Sequence, residues 1–303
     1  MIYSASYVRL AKSTQAYKTL SKAFAEGKES HAYLLSSPDI LLSECVAAAV
    51  ACGGACSACL DCAKCKRILS EKCSDFVTYD KLTASEAEEI VSSCLYAPSE
   101  LERKFFVVNA SVGNETGQNR LLKTLEEAPR GVVFFIIAPS ESSVLPTVAS
   151  RCEQLLAYLE REVEGDDFSP YYNLARYGAK NSLTLFDRLI KPAGANLLSH
   201  AIRAVVLLSE NRRLEAVELF PSKRDELAEF LGYVELVFGD VMKRACGRDV
   251  NTYGLYDADR LANIFGERVP RILAEVRRAV RRTPSGNLTS IADTFAVNVT
   301  EVL

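Results

Sequence analysis

Residues 118–152 read QNRLLKTLEEAPRGVVFFIIAPSESSVLPTVASRC. Gln118–Ala128 puts Leu121, Leu122 and Leu125 on one helical face, and Pro129 ends the helix. Val132–Ala138 (VVFFIIA) is apolar throughout, as expected of a strand covered on both faces at the centre of a parallel sheet. Working outward, Lys104–Asn109 (KFFVVN), Phe76–Tyr79 and His31–Ser36 (HAYLLS) are further strand-length apolar runs, and Cys152–Tyr158 makes a fifth. Helical patterns separate them: residues 10–25, Ile40–Cys52, and a helix opened by the Thr83/Glu86 capping pair and running through Cys94. Strands alternating with helices predict an α/β fold with a doubly wound parallel sheet.

The second half differs. Residues 160–170 (EREVEGDDFSP) are acidic and turn-rich, and a small helical segment follows over 171–190. Pro192, Gly194 and Asn196 read as a linker. Beyond it, three apolar stripes at helical spacing (Leu197–Val206, Leu227–Val241 and Leu261–Val276) predict a helical bundle. The expected division is 1–158, 159–193 and 194–303.

The 303 residues are 49% hydrophobic and 25% charged, which excludes a wholly disordered chain. No apolar run reaches the roughly 18 residues of a membrane span, and the N-terminus lacks a signal-like stretch, so the expected location is cytoplasmic. A net charge of −3 argues against a protein coated in base for nucleic acid. There are only two histidines, His31 and His200, which disfavours His-centred chemistry.

Cysteine carries the strongest local signal. Six of the ten fall between Cys52 and Cys73, in and just after CGGACSACLDCAKCKR. In a reducing compartment such density indicates a metal, and tetrahedral zinc takes four thiolates. An iron–sulfur cluster or a set of small buried thiols are the lesser readings. Cys52, Cys56, Cys59, Cys62 and Cys65 are five candidates for four places, and the choice stays open here. Lys64, Lys66, Arg67 and Lys72 are near enough in sequence to offset the anionic site. A complete Cys₄ set leaves no open position, so the metal would be structural.

The turn after the first strand, Ser36–Val46 (SSPDILLSECV), stands where a nucleotide-binding sheet carries its phosphate loop. It has no Gly and no Lys, and Asp39 and Glu44 would repel phosphate. The third strand ends in Asn109, Ala110 and Ser111 rather than magnesium-binding acids. The expectation is no ATP hydrolysis. His31, Glu126 and Glu127 read as structural or solvated. The run Arg277, Arg278, Arg281 and Arg282 reads as a solvated helix face near a helix C-terminus, with phosphate contact as the minor alternative.

Four segments give the chain a family resemblance: HAYLLSSPD, the Cys cluster with KRILSEKCSDFVTYD, residues 115–152, and RRTPSGNLTSIADTFAVNV. Together they resemble the clamp-loader subunits of bacterial DNA polymerase III, an AAA+ group, and residues 115–152 are the most specific. The resemblance implies an AAA+ sheet domain (1–158) with an inserted zinc module at about 52–73. It also implies a small helical lid (159–193) and an all-α oligomerisation collar (194–303). It implies structural Zn²⁺ on Cys52, Cys59, Cys62 and Cys65, with Cys56 as the alternative to Cys52, while Cys73 stands where the family often has His. The degenerate loop Ser37–Glu44 and the degenerate Asn109–Ala110 end imply a non-hydrolysing subunit of the delta-prime type, with no ATP of its own. Ser150, Arg151 and Cys152 match the family's SRC motif, whose Arg reaches ATP on a neighbour. Implied partners are tau/gamma- and delta-type subunits and, through them, the sliding clamp and primed DNA. The alternatives are an active tau/gamma-type ATPase with an unusual phosphate loop and a zinc-dependent nucleic-acid binding protein.

Overall fold

A computed structural model describes residues 3–55, 58–159, 169–179 and 181–301. Contacts divide the chain into two units, Met1–Asp166 with Asn181–Thr184, and Asp167–Lys180 with Leu185–Leu303.

The first unit runs α1 (Ala5–Ala11), α2 (Gln15–Glu26), β1 (Ala32–Ser36), α3 (Ile40–Ala55), α4 (Ala63–Leu69), β2 (Phe76–Tyr79), α5 (Ala84–Ser93), β3 (Lys104–Asn109), α6 (Glu115–Glu126), β4 (Val132–Ala138), α7 (Pro146–Ala149) and β5 (Glu153–Leu156). The five strands form one parallel sheet in the order β2-β3-β4-β1-β5. Order reverses beside β1, as the doubly wound expectation requires. Every residue of β3 and β4 is buried. Phe106 faces Phe134 across the ladder at 5.4 Å on one side of the sheet, and Phe105, Phe135 and Tyr33 stack on the other. Each such ring contributes about 1.5–3 kcal/mol by leaving water.

Local signals set the helix ends. The pattern over 10–25 is two helices, not one: the chain breaks at Lys12–Ser13, and Thr14 opens α2 by accepting the Tyr17 N–H at 3.2 Å. Thr83 donates its N–H to the Glu86 carboxylate at 3.0 Å, as the capping pair predicts. Helix α6 begins at Glu115, earlier than Gln118, because Asn114 caps it through the Gly117 N–H at 2.9 Å. Gly117 is required there: a Cβ would lie 2.5 Å from the Leu82 carbonyl oxygen. His31 Nε2 lies 2.7 Å from the Leu125 carbonyl oxygen in the last turn of α6, a structural role.

The helices beyond β5 are α8 (Tyr172–Ala179), α9 (Leu183–Leu189), α10 (Pro192–Ser209), α11 (Arg213–Val217), α12 (Arg224–Ala245), α13 (Ala258–Phe265), α14 (Val269–Arg282) and α15 (Leu288–Glu301). Residues 192–196 are not a linker; Pro192 sits in the first turn of α10, where its missing N–H costs nothing. The third apolar stripe is likewise split, since Gly266 at φ +45° ends α13 before α14 begins. In the second unit, Leu227, Phe230, Val234, Val237 and Phe238 of α12 form the buried stripe that holds the bundle. Its one buried acid in that stretch, Asp240, accepts from Tyr177 at 3.1 Å and pairs with Lys243 at 2.7 Å. No helix among the described residues is long and apolar enough to cross a membrane.

Candidate functional site

Three places carry chemistry, all in the first unit. The first is the turn after β1. Ser37 continues the sheet through its N–H to the Ala138 carbonyl at 2.9 Å, and its hydroxyl accepts the Asp39 N–H at 3.1 Å. Asp39 is buried and caps α3 by accepting the Leu42 N–H at 3.3 Å. The same carboxylate accepts the N–H groups of Leu183 and Thr184 and the Thr184 hydroxyl. Asn181–Thr184 group with this unit. A helix N-terminus at the end of β1 is where a phosphate would be bound by backbone N–H groups and the helix dipole. Here one of those groups, the Leu42 N–H, is taken by a side-chain anion of the protein.

Glu44, one turn further on, is 5% exposed, and among the described residues its Oε2 has no hydrogen-bond partner. Burial, with Asp80 and Glu71 nearby, pushes its carboxyl up to about 7. The unfolded chain ionises this group first, near 4.5, so the native state holds the extra proton between about 4.5 and 7. Stability therefore falls as pH rises through that window, by about 3 kcal/mol in all. Glu44→Gln is expected to stabilise by about that amount at pH 8 and by little at pH 4, measured by urea unfolding. A stability gain that is the same at both pH values would show that ionisation of Glu44 is not its cause.

At the end of β3 the Asn109 Oδ1 accepts the Ser111 N–H at 3.2 Å and its hydroxyl at 2.7 Å. Ala110 beside it is buried. The strand end is thus closed on itself. A cavity of about 440 Å³ at the carboxyl ends of β1, β4 and β5 is lined by Ser36, Pro38, Ser140, Glu141 and Gln154, with no cationic residue among its lining.

The second place is the SRC segment after α7. Arg151 is 31% exposed, donates Nε to Glu126 Oε1 at 2.7 Å and Nη1 to the Thr147 carbonyl at 2.6 Å. Its Nη2 also reaches Glu126. Ser150 bonds only locally, to the Thr147 carbonyl at 3.2 Å. Burial pushes the Cys152 thiol up to about 12, so it stays protonated and packs rather than reacts. Sequence reasoning missed Gln118, which donates to the Ala110 carbonyl at 3.0 Å and accepts the Leu145 N–H at 2.8 Å. One buried amide therefore ties the end of β3 to the LPTVASRC turn. An isolated Gln in a helix gives no signal of this.

The third place is the Cys-rich turn. The sulfur atoms of Cys59, Cys62 and Cys65 lie within 4.8 Å of one another. Thiolates about 2.3 Å from a tetrahedral zinc lie about 3.8 Å apart, so the three fit one ion. The Cys62 N–H points at Cys59 Sγ at 3.4 Å. Ala58 and Leu60, flanking Cys59, have φ of 51° and 64°, each at a cost of about 1 kcal/mol, as in ligand clamps. Cys52 is fully buried on α3 and is not part of that grouping; Cys56 lies outside the described residues. Of the neighbouring cations, Arg67 is committed elsewhere. It holds Glu100 through Nε at 2.7 Å and Nη2 at 2.9 Å and keeps that carboxyl down at about 2. Lys66 pairs with Asp61 at 3.5 Å. Cys73 is buried, and burial raises its thiol.

With that geometry in hand, residues 12–158 match the family described as DNA polymerase III, delta subunit. This segment, just under half of the chain, is therefore similar to subunits of the DNA polymerase III clamp loader. The DNA polymerase III subunit tau of Bacillus subtilis is 34% identical over 205 residues, 58% of this chain and 36% of that protein. The subunit gamma of Buchnera aphidicola from Schizaphis graminum is 29% identical over 145 residues, 45% of this chain and 40% of its own. The chain thus spans two fifths or less of the length of these curated relatives. A solved gamma subunit-related protein of Thermotoga maritima aligns with 95% of this chain and 99% of its own, at 13% identity and a TM-score of 0.45. The matched residues contain the Asp39 turn, the three-thiol cluster and Arg151.

Proposed function

We propose that the chain is a delta-prime-type clamp-loader subunit that binds no nucleotide of its own and lends Arg151 to ATP held by a neighbouring subunit. The observation that carries this reading is Asp39: the helix N-terminus that would meet a triphosphate already holds a carboxylate. Glu44 adds a second buried acid on the same helix, and the Asn109 amide oxygen is already occupied by Ser111. Arg151 is suited to the opposite role. Its guanidinium is planar, permanently charged and able to bond two phosphate oxygens, and such a group stabilises the charge that builds on a transferring phosphoryl. Glu126 holds it at the surface, oriented but accessible.

In this reading Cys59, Cys62, Cys65 and one of Cys52 or Cys56 hold a structural zinc. The ion supplies a cross-link between the turn and α4, with no open position for chemistry. Residues 159–193 form the small lid, and the helices of 194–303 serve as the collar that joins tau/gamma- and delta-type partners. The assembled complex then acts on the sliding clamp and primed DNA.

Equilibrium binding of labelled ATP to the whole chain tests the central claim. The expected result is no binding up to millimolar nucleotide, together with co-purification with tau/gamma- and delta-type subunits. Micromolar ATP binding by the chain alone would overturn it in favour of an active ATPase.

A further inference from the structure

Helix α14 (VPRILAEVRRAVRR, after Arg268) presents an arginine array that none of the roles above uses. Val269, Ile272, Val276 and Ala279 form its buried stripe. Arg268, Arg271, Arg277, Arg278, Arg281 and Arg282 are exposed on the remaining surface. Two of the six are neutralised, Arg277 by Glu235 at 3.0 Å and Arg278 by Glu275 at 2.8 Å. Among the described residues, no acidic group lies within ion-pair distance of Arg268, Arg271, Arg281 or Arg282.

The bland account of such a run is that it complements the negative end of the helix dipole and covers the last carbonyls. Carbonyls at this end are taken by a residue of another helix. Arg224 donates to the Thr283 carbonyl at 2.6 Å and to that of Gly286 at 3.0 Å. Arg281 and Arg282 are therefore not needed as caps. Nor is solubility a sufficient account, since lysine would serve it equally. Yet after Lys243 the chain contains no lysine at all, and its cations there are all arginine. Arginine differs from lysine in its flat fork, which matches paired phosphate oxygens.

We propose that this face of α14 binds the sugar–phosphate backbone of duplex DNA without reading its sequence. Arg271 to Arg282 spans about 16 Å along the helix at 1.5 Å per residue. Over that length a duplex presents a dense row of phosphates, one charge per about 1.7 Å of axis. No aromatic residue occurs in α14, so it offers no platform on which unpaired bases would stack. That favours duplex over single strand. A local cationic ridge on a chain of net charge −3 also gives the anion one place to go.

The test is fluorescence anisotropy of the whole chain with a labelled duplex between 50 and 200 mM salt. Affinity is expected to fall with salt on a log–log slope of about −3, from three to four neutralised phosphates. Arg271→Gln/Arg281→Gln/Arg282→Gln is expected to weaken binding at least tenfold at 50 mM salt and to flatten the slope by 2–3, about one per arginine. All three side chains are exposed, so the thermal melt should not move. Lys18→Gln/Lys22→Gln/Lys28→Gln removes the same charge from exposed positions in the first unit and is expected to leave binding unchanged. The proposal is overturned if the unaltered chain shows no duplex binding at 50 mM salt, or if the two triple variants weaken binding equally. It is overturned too if a single strand binds more tightly, or if polyglutamate competes for the same arginines and duplex does not. None of these outcomes bears on Arg151 or on ATP, so the inference and the clamp-loader reading fail separately.

Discussion

Arg151→Ala, placed in a reconstituted clamp-loader complex, is expected to cut hydrolysis at the ATP site we propose it completes by roughly 10³-fold or more, the range an arginine finger supplies. Clamp loading should fall with it, while the isolated variant keeps its melting temperature. The fold should survive because the Arg151–Glu126 pair is exposed, and exposed pairs contribute only about 0–1 kcal/mol. Two companions sharpen the result. Arg151→Lys keeps the charge but loses the two-pronged geometry, and is expected to recover little activity. Glu126→Gln removes the internal competitor and is expected to leave activity equal or higher. DNA-stimulated ATPase at the unaltered level in the alanine complex would end the assignment. So would equal losses in the Arg151→Ala and Glu126→Gln complexes, which would point to the ion pair as a structural element.

The second large effect concerns the thiol cluster. Chain purified without air or chelator is expected to carry one zinc, measured by mass spectrometry or by a colorimetric chelator. Cys62→Ser should abolish it. Binding energies of about 10–16 kcal/mol are typical of small structural zinc sites, and most of that is folding energy of the module. Its loss should therefore unfold the turn and α4 locally, since the sheet has its own core of β3 and β4 side chains. Trypsin reports this, because Lys64, Lys66 and Arg67 lie on α4. Cleavage there should accelerate at least a hundredfold on chelation, with the sheet domain left intact. Comparing Cys52→Ser with Cys56→Ser identifies the fourth ligand, as only one of the two should lose metal. Less than a tenth of an equivalent of zinc in the unaltered protein would refute the metal site.

Much of the sheet was legible because burial on both faces leaves an unmistakable composition. VVFFIIA admits few other readings, and the strands beside it follow from short apolar runs between helices. The Thr83/Glu86 cap was equally plain, since its partners are three residues apart. Breaks were harder. Lys12–Ser13–Thr14 interrupts a good helical pattern without Gly or Pro, and Pro192 reads the same whether it ends one segment or starts a helix. At the candidate site, the composition of the Ser37–Glu44 turn announced what it lacks. It did not announce that Asp39 would be held by residues 144 and 145 positions away. Arg151 with Glu126, 25 residues apart, and Gln118 between Ala110 and Leu145 are contacts of the same kind. Local pattern finds residue types suited to a task; only folding shows which have already been given one.

The Asp39 contact also has an evolutionary reading. Grafting glycines and a lysine into the Ser37–Glu44 turn would not by itself create a nucleotide pocket, because the carboxylate would still sit on the Leu42 N–H at the start of the helix. Removing the carboxylate first would strand the Leu183 and Thr184 donors. Each step back is unfavourable until the other has been taken. Such an arrangement works as a ratchet: where a turn holds its own counter-anion, no single substitution opens it to an outside one.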